Sequence, residues 1–230
     1  MNIAILGDYN PNYPPHPATT QSLKHASSYS GIKINITWIA TEAIDNDIPE
    51  ILDSFHAVWL GPSPYKNEPG VLKAVNYIRN NNFPFIGTCG GLYQSMIEFG
   101  INVLGLDEKL FKNRSLEPGD DFFMMDTSCG ENGFKMINFK TIENTKTHQF
   151  YHKKDCEEHS NCGFMINPKY FALFEKHGLK ISGIDDQNEA KVFELQSNDF
   201  FILTKFLPQM RSDINSPHPL VLAFIKAGAN

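Results

Sequence analysis

Residues 83–91 read F-P-F-I-G-T-C-G-G and lead an apolar segment into a helical one through a glycine-rich turn. Cys89, at the centre of the turn, has a glycine two positions before it and glycines at the next two positions. Such a turn strains the backbone and presents the central side chain above the edge of a sheet. The N-terminus of the following helix lowers a thiol pKa and helps to stabilise an oxyanion. We interpret Cys89 as a nucleophile; the alternative is a glycine-rich turn with a buried, inert cysteine.

The pattern around this turn predicts an α/β fold over one domain, residues 1–230. Apolar runs alternate with helical segments, which is typical of a doubly wound, mostly parallel sheet with helices on both faces. Residues 8–17 predict a loop, and residues 107–155 predict loops and short antiparallel strands. The predicted strands are 2–7, 32–39, 57–60, 84–87, 180–184, 190–195 and 200–205, and the predicted helices are 18–27, 71–80, 92–99, 167–176 and 219–227.

Composition and charge limit the classes of partner. The formal net charge is −6 and the basic residues are scattered, so nothing favours nucleic acid or an anionic membrane surface. The start of the chain lacks the basic region of a signal peptide, which leads us to expect a cytoplasmic protein with its four cysteines reduced. We expect a small-molecule substrate or ligand and no cofactor, and a homo-oligomer is left open.

Short motifs along the chain occur in the order found in one family. They are G-D-Y at 7–9, S-L-K-H-A at 22–26, P-F-I-G-T-C-G-G at 84–91, I-E-F at 97–99, N-V-L-G at 102–105, S-L-E at 115–117, F-M-I-N at 164–167 and S-P-H-P-L at 216–220. Together they resemble the C-terminal glutaminase domain of CTP synthase, a class I glutamine amidotransferase. The resemblance implies a class I glutamine amidotransferase-like, flavodoxin-like fold. Because no counterpart of the synthetase half is seen, we expect a stand-alone relative of that C-terminal region.

The residues that would complete the family's catalytic triad are replaced. By resemblance the triad is Cys89 with the His and Glu of an F-H-P-E motif, which reads F-L-P-Q at residues 206–209. Leu207 cannot transfer a proton, and Gln209 cannot stabilise an imidazolium by charge. Removing the base of a triad costs several orders of magnitude in rate. We therefore do not expect standard glutaminase activity.

The oxyanion loop of the family is altered as well. Its P-G-G-F-G sequence reads G-P-S-P-Y at residues 61–65, and the two prolines each remove a possible N–H donor. The amides of Ser63 and Gly90 are the donors that we expect to remain. Tyr65, which ends this loop, is added to the candidate substrate-binding residues.

The residues that would hold glutamine also differ. An R-H-R-Y-E-V-N stretch of the family reads N-C-G-F-M-I-N at residues 161–167, so the arginines that anchor an α-carboxylate are missing. By resemblance, Glu117 stands where the substrate amino group is bound, and Tyr93 stands where the family has a glutamine. These two residues complete the predicted binding set.

Another group would have to replace the missing base. His159 is the strongest candidate, in a segment that by resemblance faces the pocket; the alternative is an exposed loop histidine. His218 matches a structural P-H-P motif and is not assigned a catalytic role. Cys156, His159 and Cys162 lack an obvious fourth metal ligand, so we expect no metal and a polar loop there.

Three functional hypotheses remain open from the sequence. The first is a thiol-dependent hydrolase or transferase that acts on a small amine- or amide-containing substrate other than glutamine. The second is a catalytically inactive binding or regulatory relative. The third has Cys89 acting with Cys162 as a redox or metal-binding pair, which depends on a distance that the sequence does not give.

Overall fold

The computed structural model describes residues 1–44, 47–112, 123–126 and 133–230. Its strands, in chain order, are β1 (Asn2–Leu6), β2 (Asn35–Ile39), β3 (Ala57–Leu60), β4 (Phe85–Thr88), β5 (Met124–Asp126), β6 (Lys135–Thr141), β7 (Asp155–Ser160), β8 (Phe164–Ile166), β9 (Leu179–Ile184), β10 (Ala190–Leu195) and β11 (Phe201–Thr204). Its helices are α1 (Pro15–Ser30), α2 (Ile48–Leu52), α3 (Glu68–Asn80), α4 (Gly90–Asn102), α5 (Lys109–Lys112), α6 (Lys146–Tyr151), α7 (Phe171–Lys176) and α8 (Pro219–Gly228).

The strands described form a nine-stranded sheet in the order β2-β1-β3-β4-β11-β10-β9-β6-β7, with β5 and β8 paired separately. The first five strands of that order are parallel. The other pairings of the large sheet are antiparallel. The predicted α/β class with flanking helices is confirmed, and the antiparallel half is larger than the short strands predicted for residues 107–155. β4 lies inside the parallel half, so its carboxyl end opens between β3 and β11.

Two apolar layers cover the faces of the sheet. Alternate residues of β1 illustrate the division, since Ala4 packs in one buried cluster and Ile5 in the other. The first cluster includes side chains of α3, α4 and α7, and the second includes those of α1 and α8. β4 is buried along its whole length, as expected for a strand covered on both sides.

α4, the helix that follows Cys89, is fixed against α3 by a buried ion pair. Glu98 is fully buried and accepts hydrogen bonds from Arg79 Nε at 2.9 Å and Nη2 at 2.8 Å, and from Asn76 Nδ2 at 2.7 Å. The two-pronged contact fixes both side chains, because a guanidinium matches the geometry of a carboxylate. The orientation of α4, and with it the turn at its start, is thereby held.

Two parts of the secondary structure differ from the sequence-based expectation. α1 begins at Pro15, inside the predicted loop, because proline fits the first turn of a helix, where its missing N–H has no partner to lose. The predicted polar loop around Cys156 is instead the regular strand β7, paired with β6. In the ranges that the structure describes, no helix has both the length and the apolar character needed to span a membrane.

Candidate active site

Cys89 occupies the strained turn between β4 and α4. Its backbone angles are φ 52° and ψ −108°, and it caps the N-terminus of α4. A residue with a side chain in such a conformation costs roughly 1–3 kcal/mol and persists only where the surroundings enforce it. The Cys89 N–H donates to the Thr204 carbonyl at 2.8 Å, which ties the turn to the end of β11. The side chain is only partly buried. These features give the strained strand–turn–helix backbone that the sequence predicted around Cys89.

The backbone next to Cys89 is packed closely enough to form an oxyanion site. A Cβ placed on Gly90 would lie 2.5 Å from the amide nitrogen of Ser63, so only glycine allows this approach. The two amides predicted from the sequence are therefore neighbours, at the N-terminus of α4 where the helix dipole favours negative charge.

A cavity of about 240 Å³ opens at the Cys89 side chain. The predicted residues Ser63, Tyr65, Gly90 and Tyr93 line it with Cys89. The other described residues that line it are Tyr13, Glu68, Gln94, Ile97, Phe111, Asn161, Cys162, Gly163 and Phe164. The volume suits a small molecule, and among these residues there is neither an arginine nor a lysine.

Cys162 lines the same cavity as Cys89, so a negative charge on one sulfur acts on the other thiol. The neighbouring Cys162 thiol, followed by burial, raises the pKa of Cys89 well above its usual value. The neighbouring Cys89 thiol is the largest cause that lowers the pKa of Cys162, to about 7. A thiolate at one position therefore disfavours a second thiolate at the other.

The tyrosines of the cavity are held by their hydroxyl groups. Tyr93 Oη lies 2.9 Å from Cys162 Sγ and also donates to the Phe164 carbonyl. Tyr65 donates to the Gly61 carbonyl, within its own loop. Tyr13 Oη accepts from Asn161 Nδ2 at 3.1 Å, and Asn161 Oδ1 lies 3.9 Å from Cys89 Sγ. Each of the three tyrosines that line the cavity is thus held by a hydrogen bond of its hydroxyl group.

The predicted substitute base lies elsewhere. His159 belongs to β7, where the side chains of Cys156, Glu158 and Ser160 are buried and that of His159 points to the other side, half-buried. It is not among the described residues that line the cavity, because β7 is a regular strand and not the loop expected. Its carbonyl accepts from the Leu207 N–H at 2.8 Å. The structure does not bring the His159 side chain to Cys89.

The F-L-P-Q segment at residues 206–209, which by resemblance corresponds to the family's F-H-P-E motif, is buried. The Leu207 side chain is fully buried, and Gln209 is 3% exposed. Neither polar atom of the Gln209 side chain has a hydrogen-bond partner in the part of the chain that the structure describes. Neither residue contacts the cavity as a lining residue. This segment carries no proton-transfer group.

The structure gives His218 a role in holding α8. His218 caps α8 through Nδ1, which accepts from Leu220 N–H at 3.2 Å, while Nε2 pairs with Glu158 at 2.8 Å, in line with a structural role. Glu117 lies outside the described residues. Over the described ranges, no three His, Cys, Asp or Glu side chains gather as a metal site requires.

The sequence reasoning missed Glu68 and Asn161. Glu68, at the start of α3, brings a carboxylate to the cavity, and Asn161 brings an amide to the Cys89 sulfur. Glu68 follows the oxyanion-loop segment 61–65 by three positions, and Asn161 is the first residue of segment 161–167, so the departures from the family motifs were the available signal. Cys162 was considered only as a redox or metal-binding residue, not as part of a substrate cavity.

The match to a family agrees with this geometry. Residues 16–227 match the family described as Glutamine amidotransferase class-I. This chain belongs to the class I glutamine amidotransferase family.

The known relatives that this chain resembles include several CTP synthases. The chain is similar to CTP synthase of Saccharolobus solfataricus, with 31% identity over all of this chain and 45% of the relative, and to CTP synthase of Onion yellows phytoplasma, with 32% identity over 98% of this chain and 43% of the relative. It spans less than half the length of these curated relatives. Among solved structures, the glutaminase domain of Trypanosoma brucei CTPS with bound acivicin has a TM-score of 0.84 at 21% identity, covering all of this chain and 94% of that one. The fold is thus that of a class I glutaminase domain.

Proposed function

We propose that this protein is a thiol-dependent hydrolase or transferase that acts on a small amine- or amide-containing substrate other than glutamine, with Cys89 as nucleophile. The observation that carries the proposal is the elbow itself, with a strained and partly exposed Cys89 beside the Ser63 and Gly90 amides. An inert cysteine would not require this backbone strain. The reaction class is acyl transfer, in which the thiol adds to a carbonyl and the two amides receive the oxyanion.

Glutamine is disfavoured as the substrate by the charges of the cavity. No described lining residue is an arginine or lysine that could pair with an α-carboxylate. The Glu68 carboxylate is instead suited to a substrate amine, a role also expected of Glu117. The replacement of the family's His and Glu by Leu207 and Gln209 supports the same conclusion, since the usual proton transfer is lost.

A panel of chromogenic esters and anilides of small amines and amino acids tests the proposal. We expect turnover of at least one uncharged or amine-bearing member and none of a glutamine anilide. Cys89→Ala is expected to abolish the turnover, whereas Cys156→Ala is the matched control, because Cys156 is buried in the other apolar layer. Turnover that survives Cys89→Ala would count against this function.

The second candidate is an inactive binding or regulatory relative. It is favoured by the fully buried Leu207 and the unpartnered Gln209 amide, which leave the former base segment purely structural. Under this candidate, Cys89→Ala retains ligand binding measured by thermal shift, and no panel member is turned over. A ligand that the wild type binds and turns over would exclude it.

A further inference from the structure

A second cavity, which we call the aromatic cavity, lies beside the cavity of Cys89. The two cavities share Tyr13, Ser63 and Tyr65 as lining residues. The aromatic cavity has a volume of about 860 Å³, within the range of sites that hold a small molecule. It opens where β1 and β2 end, and its remaining lining residues have no part in the acyl transfer proposed above. It therefore has room for a ligand group of its own.

Aromatic rings form a corner of this cavity. Tyr9 meets Trp38 with ring centroids 4.9 Å apart and planes inclined by 64°, and Tyr13 meets His16 at 5.0 Å and 85°. The His16 and Trp38 rings, 5.2 Å apart, join the two pairs. Tyr9 is 47% exposed, so part of its ring is open to a ligand. The face of an aromatic ring is negative and attracts a cation.

The Asp8 carboxylate adds a negative charge to the same cavity. Its Oδ1 accepts from the Thr41 N–H at 2.9 Å, and its Oδ2 accepts from the Thr41 hydroxyl at 2.6 Å and from the Lys66 N–H at 2.8 Å. These donors favour the ionised form and fix its orientation. Lys66 is the only lysine among the described lining residues, and its exposed ammonium is already paired with Glu42 at 2.7 Å.

The ring of His16 is neutral and does not repel a cation. Its Nδ1 accepts from the Asn10 N–H at 2.8 Å, so that nitrogen carries no proton. Its Nε2 lies 3.4 Å from the Pro62 carbonyl oxygen and donates to it. The aromatic cavity thus combines ring faces with one carboxylate, and the described residues that line it bring no unpaired positive charge.

We propose that the aromatic cavity binds an organic cation of the quaternary ammonium class, with its methyl groups against Tyr9 and Trp38 and its charge near Asp8. A quaternary ammonium suits the site better than a primary one, because it has no N–H that would need acceptors which the rings do not supply. The shared lining residues make the cation the end of the substrate remote from the carbonyl that Cys89 attacks. That link to the substrate rests on the proposed function, whereas the cation site does not.

Trp38 provides a probe of binding without any chemistry. The chain has two tryptophans, and the other one, Trp59, is fully buried. We expect choline to change the tryptophan fluorescence of the wild-type protein saturably, and its neutral isostere 3,3-dimethylbutan-1-ol to bind about tenfold more weakly. Asp8→Asn and Tyr9→Leu should each weaken choline binding by about the same factor. Tyr29→Leu is the control and should have no effect, because this exposed tyrosine lies outside the aromatic cavity.

Two results would overturn the cation site. One is equal affinity of the wild type for choline and for the neutral alcohol, since the charge would then contribute nothing. The other is unchanged choline binding in both Asp8→Asn and Tyr9→Leu, with circular dichroism showing that each variant is folded.

The link to the substrate is tested with a choline ester and the 3,3-dimethylbutyl ester of the same acid. We expect kcat/KM of the wild type to be about tenfold higher for the choline ester, and Tyr9→Leu to remove this preference. Equal rates for the two esters would overturn the link while leaving the proposed function in place. Choline binding without turnover of any acyl substrate would leave the cation site in place and contradict the proposed function.

Discussion

The turn after β4 and the segment after β7 face each other across one cavity, yet they differ in how far they keep the family's design. The first keeps the strained cysteine, the close-packed glycine and the helix N-terminus. The second has Asn161 and Gly163 where the resemblance implies arginines. The nucleophile position depends on backbone packing that any change would disrupt. The second segment instead contributes side chains that line an open cavity.

The largest effect is expected from Gly90→Ala, which changes the close backbone packing of the turn after β4. The added Cβ would meet Ser63 N and Cβ at 2.5 Å, so the Ser63 amide must move. We expect acyl-transfer turnover to fall about a hundredfold, as on loss of one oxyanion donor. Gly61→Ala is the matched control, because the added Cβ there finds its nearest atom at 3.6 Å. Equal rates in the two variants would remove the amides from the mechanism.

The contact between α4 and the segment after β7 is tested by Tyr93→Phe. The buried Tyr93 hydroxyl donates to the Phe164 carbonyl and lies 2.9 Å from Cys162 Sγ, so its removal leaves that carbonyl without this donor. We expect the variant to lower the free energy of unfolding by about 1–2 kcal/mol in urea denaturation. Tyr29→Phe is the control and should change it very little, because the Tyr29 side chain is exposed. Equal stabilities of the two variants would contradict a specific role for the Tyr93 hydroxyl.

A smaller effect is expected at Gln209, in the buried segment 206–209. The Gln209 side chain is buried without a described partner, so an apolar residue of similar length should suit the site better. Gln209→Met is expected to raise the free energy of unfolding by about 1 kcal/mol in urea denaturation. Asn198→Leu is the contrasting variant and should destabilise, because its amide donates to the Arg79 carbonyl at 2.8 Å. Destabilisation by Gln209→Met would instead reveal a partner that holds the amide.

The smallest effect is expected at Asp8, at the end of β1. Burial raises its pKa, but hydrogen bonds from the Thr41 hydroxyl and from the Lys66 and Thr41 amides outweigh burial, and the pKa is lowered. The stabilisation is therefore complete above the ordinary aspartate pKa and is lost as pH falls through the lowered value. We expect Asp8→Asn to cost about 1 kcal/mol or less at neutral pH and nothing in strong acid.

Urea denaturation at several pH values measures this difference for Asp8. Asp186→Asn, which removes an exposed pair with Lys140, serves as the control and should show almost no change. A cost at Asp8 that does not depend on pH would mean that the carboxylate charge is not what stabilises the loop.

The sequence predicted the elbow and the scaffold well because their signals are local. The bounds of β3 and β10 coincide with the predicted strands, since short apolar runs end at turn residues. α6 was missed because its six residues are held from afar, with Glu194 accepting from the Lys146 and Thr147 amides. His159 and Cys162 are only three positions apart, and the end of β7 decides which reaches Cys89. Strand register of this kind depends on tertiary pairing that no local pattern contains.

The most direct test of the central claim is to trap the acyl-enzyme. The wild-type protein is mixed with an activated ester from the substrate panel, quenched in acid and measured by intact mass, and the adduct is then mapped by peptide analysis. We predict one acyl group per chain on the Cys89 peptide, absent from Cys89→Ala and present in Cys156→Ala. An acyl group found on another residue, or no adduct at any concentration while the ester is still hydrolysed, would contradict the assignment of Cys89 as nucleophile.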